Sequence, residues 1–133
     1  MPVILLYILT FLSISSISYA STYEDKSFLC STQSHSVKGG FIFLNHIEVV
    51  KYNILASSNS KNFIKKTSHC YKTIDDRVLI SIDSLVNGCG KYHSYINSDS
   101  LIYNVPFKDK ILYAQCKPYD SNLESKLKDS LNK

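Results

Sequence analysis

Hydrophobic and polar positions along this chain follow more than one period. Val3–Leu12 (VILLYILTFL) is an apolar run, followed by a small and polar stretch ending Ser18-Tyr19-Ala20. Further on, Phe43, Ile47, Val50 and Ile54 recur at spacings of 4, 3 and 4, which predicts one face of an α-helix. Ser36 is placed to cap it and Ser57–Lys61 to end it. Val78, Ile80 and Ile82 alternate with Leu79 and Ser81, the signature of a half-buried strand. Phe28–Cys30, Asn62–Lys66, Tyr92–Ile96, Leu101–Val105 and Ile111–Gln115 read as further short strands. Val86–Gly90 reads as a turn, and Pro106 and Pro118 as stops. Leu123, Leu127 and Leu131 are spaced by 4, with Glu124 four residues before Lys128, an amphipathic helical tail. The predicted fold is α+β, one α-helix packed on a four- to five-stranded antiparallel sheet with a C-terminal helical tail.

The apolar run changes the picture of where the chain works. It is shorter than the roughly 20 residues a spanning helix needs. Small residues at Ser18 and Ala20 suit a signal peptidase cutting before Ser21. Residues 1–20 are therefore expected to be a secretory signal peptide, 21–119 a single domain and 120–133 the tail. The expected location is outside the cell. All charged residues follow Ala20, and the net charge of +4 favours acidic surfaces only weakly. Cys30, Cys70, Cys89 and Cys116 in a secreted domain imply two disulfides with three possible connectivities. No cysteine or histidine pair has zinc-ligand spacing, so neither metal nor cofactor is expected.

Candidate chemistry is sparse. His35 and His46 fall at or in the predicted helix, where a histidine is ordinarily exposed or packed. His69 and His93 could meet on the sheet, with Asp83 orienting one and Arg77, the only arginine, holding a phosphate. Tyr71, Tyr92, Tyr95, Tyr103 and Tyr113 offer large contact area at low entropic cost, as protein interfaces use. Lys65, Lys66, Lys72 and Lys91 nearby would suit phosphate contacts and RNA. The ordinary alternative is that these tyrosines pack their rings as strand residues do. No Gly-rich phosphate loop, serine nucleophile elbow or His-Glu-x-x-His run is present.

An aromatic-x-Cys motif, Phe28-Leu29-Cys30, stands shortly after the expected cleavage point. It is followed by the predicted helix, the predicted sheet and a late cysteine. In this order the chain resembles the ribonuclease-like secreted effectors of powdery mildew fungi, whose fold is that of small fungal guanyl-specific ribonucleases. The resemblance implies a microbial ribonuclease-like fold and the pairs Cys30–Cys116 and Cys70–Cys89. It also implies a monomer acting in or on host cells through a host protein, with a host immune receptor among the expected partners. The family's catalytic glutamate has no counterpart on a strand, because after Cys30 only Glu48 and Glu124 occur. Asp76-Arg77-Val78 matches the family's strand start, with Asp99–Asn104 a rival register, and no strand histidine follows either. The reading is a catalytically inactive ribonuclease-like effector that binds host protein and weakly RNA. Arg77, Lys65, Lys66, His69, His93, Tyr92 and Tyr95 are its contact candidates. The alternatives are an active secreted ribonuclease and an unrelated disulfide-stabilised extracellular binding protein.

Overall fold

A computed structural model describes residues 23–32, 37–59 and 61–131. The expected signal peptide, its cleavage point, His35 and Ser36 lie outside them. Eight strands succeed one another: β1 (Ser27–Ser31), β2 (Val37–Phe43), β3 (Glu48–Ala56), β4 (Asn62–Ile74), β5 (Arg77–Ser84), β6 (Tyr92–Asn97), β7 (Ile102–Phe107) and β8 (Lys110–Pro118). Each pairs antiparallel with its neighbours in sequence, and β1 also pairs with β8, so the sheet closes into a barrel. A 3-10 turn, Leu85–Asn87, links β5 to β6, and one helix, α1 (Leu123–Leu131), follows β8.

This overturns the expected α+β fold, with its four- to five-stranded sheet and packed helix in the manner of a microbial ribonuclease. Phe43–Ile54 is not a helix but the end of β2, a turn that holds His46, and most of β3, so Glu48, expected on the helix, stands instead as the first residue of a strand. The cause is arithmetic: a spacing of 4 between Val50 and Ile54 returns to the same face of a strand as well as of a helix. Asn45 decides the matter locally. Its Oδ1 accepts hydrogen bonds from the amides of Ile47 and Glu48, both at 2.9 Å, and so builds the turn. The Leu44 amide then donates to the Glu48 carbonyl at 3.0 Å and the hairpin starts.

Side chains alternate across each strand. One face supplies Phe28 and Cys30 of β1, Phe41 and Phe43 of β2, Val49, Tyr71, Val78, Ile80, Ile96, Tyr103 and Cys116, all buried in the barrel interior. The opposite face of β1 to β3 carries Leu29, Val50 and Tyr52, and α1 covers them with Leu123 and Leu127. Gly40 makes that approach possible. A Cβ there would lie 2.4 Å from the Phe28 carbonyl and 2.9 Å from a Leu123 methyl.

The two ends of the barrel differ. At the end where β1 begins, Tyr23 folds over the opening, its ring 5.3 Å from Phe43 and 5.9 Å from Phe28. Phe43 in turn meets Tyr71 edge-on at 4.7 Å. This end is plugged by aromatic rings. The other end, where β2 begins and β3 ends, has no such plug among the described residues. Two disulfides close the structure. Cys30–Cys116 joins directly opposed residues of β1 and β8, and Cys70–Cys89 ties β4 to the segment after the 3-10 turn.

Candidate functional site

The unplugged end opens into a cavity of about 330 Å³. Its floor is the edge-to-face pair Phe41 and Tyr103, with ring centroids 4.9 Å apart. Val105 and Leu112 form an aliphatic wall from β7 and β8, and Ala114 leaves room between them. The opposite wall comes from β3, where Lys51 and Asn53 share the face that carries Val49 into the interior. Eight strands give a barrel just wide enough to be filled by side chains or to hold one small ligand. Here Gly39 and Ala114, which contribute almost no volume, leave the upper half unfilled.

Polar groups enter the cup from one side. Lys51 extends its ammonium over the Tyr103 ring, with Nζ 5.5 Å from the centroid. Its neighbours across the β3–β4 ladder continue that face: Val49 opposite His69, Lys51 opposite Thr67, Asn53 opposite Lys65. The ring of His69 is 2.7 Å from the Thr67 hydroxyl through Nε2 and 3.0 Å from the Ser81 carbonyl through Nδ1. With the proton on Nδ1 donating to Ser81, Nε2 accepts from Thr67. Burial, and next the nearby Lys51 ammonium, hold the His69 pKa below its ordinary value, against the pull of the Ser81 and Asp83 main chain.

The sequence candidates do not all gather in one place: the register brings Lys72, Arg77 and Tyr95 to one face of β4 to β6, away from the cup. Lys65 and Lys66 face opposite sides of β4, and Lys66 sits with its Nζ 5.6 Å from the Tyr52 ring on the outer surface. Arg77 lies at the plugged end, its guanidinium 4.4 Å from the Tyr95 ring. Lys72 stands equally close, 4.4 Å, over Tyr92. His93 is exposed and its Nε2 bonds the Pro106 carbonyl at 3.0 Å, whereas His69 faces Thr67 and Ser81. Asp83 reaches His69 through its main chain, not its carboxylate. Tyr71 belongs to the interior, and Tyr103 to the floor of the cup.

Sequence reasoning did not single out Lys51, Asn53, Val105, Leu112 or Ala114. The signal was the alternation Val49-Lys51-Asn53, which carries meaning only once that stretch is read as a strand. A second hollow of about 460 Å³ lies outside the plugged end, among Tyr23, Lys26, Ser98 and Tyr119, where Asp25 and Asp120 offset Lys26. Among the described residues no group of three or more His, Cys, Asp or Glu is placed to hold a metal ion. In comparisons with protein-family models, curated proteins and solved structures, nothing matches this chain.

Proposed function

We propose that this chain is a binding protein and that its site is the open mouth of the barrel, which takes one small, largely apolar molecule. The observation that supports this is the cavity: a concave space of about 330 Å³ floored by two aromatic rings and walled by aliphatic side chains with few polar groups. A cavity of about 150 Å³ accepts benzene, so this one has room for roughly two such groups. Secretion remains part of the proposal, supported by the two disulfides, which persist in oxidising compartments.

The test is a neutral environment-sensitive dye such as Nile red, added to the oxidised protein. Enhanced fluorescence saturating at one dye per chain is expected, and Ala114→Trp, which fills the cup, is expected to abolish it. Equal enhancement by the variant would place the dye elsewhere and overturn the reading.

Action by binding rather than catalysis is the second half of the proposal. Ribonuclease cleavage needs an acid and a base at one phosphate. His69 and His93, the pair expected to meet on the sheet, are held on different partners by different strands. Labelled RNA should stay uncut by the purified protein. Turnover that disappears in a His69→Ala, His93→Ala double variant would refute this half.

A host protein is a second reading, favoured by one feature: Ile111 and Tyr113 stand on the outer face of β8 at 46% and 59% exposure. An interface of that kind would be weakened in Ile111→Ala, at a residue outside the cavity lining, while dye binding stayed intact.

A further inference from the structure

Resting on the cup reading, we propose that the ligand is an amphipathic organic anion, its charged head held by Lys51 and its apolar body laid on Phe41, Tyr103, Val105 and Leu112. Three observations carry this. First, the charged residues lining the cavity are Lys38 and Lys51, with no carboxylate among them. Second, Lys51 has no ion-pair partner among the described residues, where the one salt bridge is Lys128–Glu124 on α1. Third, it is placed at the floor: the ammonium lies over the Tyr103 ring, 5.5 Å from its centroid. A cation held beside an apolar surface, with its remaining protons undirected, is the complement of a molecule with one anionic end. Asn53, next along the same face, offers an amide for a second hydrogen bond to that head.

The field supports the sign. Lys65 lies on the same ladder face and Lys38 at the rim, so the positive groups add. After burial, the Lys51 charge is the next cause that disfavours the charged form of His69 on the neighbouring strand. Partial exclusion of water strengthens any pairing made there. A single ammonium favours a point contact with one anionic group over the bidentate grip that an arginine would supply.

The experiment titrates the oxidised protein by calorimetry with three ten-carbon probes: decanoate, 1-decanol and decyltrimethylammonium. Decanoate is expected to bind one per chain, about tenfold or more tighter than decanol, with the cation weakest, and to weaken as salt is raised. Lys51→Met should remove the preference for the anion, bringing decanoate affinity to the level of decanol. Lys51→Arg should keep the preference for the anion, and thermal unfolding of both variants confirms that they fold. Decanoate and decanol binding equally, with Lys51→Met silent, would overturn the anion assignment and leave the cup standing. Tightest binding by the cation would also overturn it. If none of the three binds, the cup reading itself fails and this inference with it.

Discussion

At the residue scale the decisive groups are those whose surroundings differ from what their type suggests. Lys51 is a long, flexible cation, yet it is laid along the inside of a barrel with its charge over a ring. His69 beside it answers to that charge. Its pKa is lower in the folded protein than in the unfolded chain, so below about pH 6.5 the unfolded chain binds more protons. Stability is therefore full above that pH and lost as pH falls toward the folded-state pKa. The melting temperature is expected to drop between pH 7.5 and pH 5.5, and His69→Gln should flatten that part of the profile. A profile unchanged by the substitution would remove His69 as the cause.

At the scale of elements, the β2–β3 hairpin and α1 depend on each other. Gly40 leaves space for Leu123, and Val50 and Tyr52 supply the surface that Leu123 and Leu127 cover. Leu127 is fully buried, so Leu127→Ala should cost about 2–4 kcal/mol in denaturant unfolding. Gly40→Val should lower stability too, because its Cβ alone would meet the Phe28 carbonyl and Leu123 at once. A native melting curve for Leu127→Ala would show that the helix only rests on the barrel. These same elements measure what the sequence disclosed. Val78–Ile82 was legible because strict alternation has one meaning over that length. Phe43–Ile54 was not, because Val50 and Ile54 satisfy both periods; against the helix stood Gly39 and Gly40 before it and Asn45, a poor helix-interior residue, within it. The site followed the hairpin: with β3 taken as a helix, Lys51 and Asn53 had no common face with Tyr103.

For the whole molecule the controlling fact is closure. Of the two disulfides, Cys30–Cys116 spans a sequence separation of 86 and Cys70–Cys89 one of 19. Chain-entropy reasoning assigns them about 4.5 and about 3 kcal/mol respectively. Replacing both Cys30 and Cys116 by serine should therefore lower the unfolding free energy more than the same change at Cys70 and Cys89. The reverse order would mean that the barrel seam holds without its bridge.

That seam also has a meaning in time. A chain synthesised from its amino end makes Cys30 first and its partner Cys116 last, after Cys70 and Cys89 have both appeared. During that interval β1 has one unpaired edge, and its thiol has only wrong partners within reach. Correct oxidation thus requires either that Cys70 and Cys89 pair with each other early, as their short separation favours, or that a premature bond to Cys30 be broken and remade by thiol exchange. Maturation is therefore expected to be slow, to speed up with a disulfide isomerase, and to be complete only after β8 has left the ribosome.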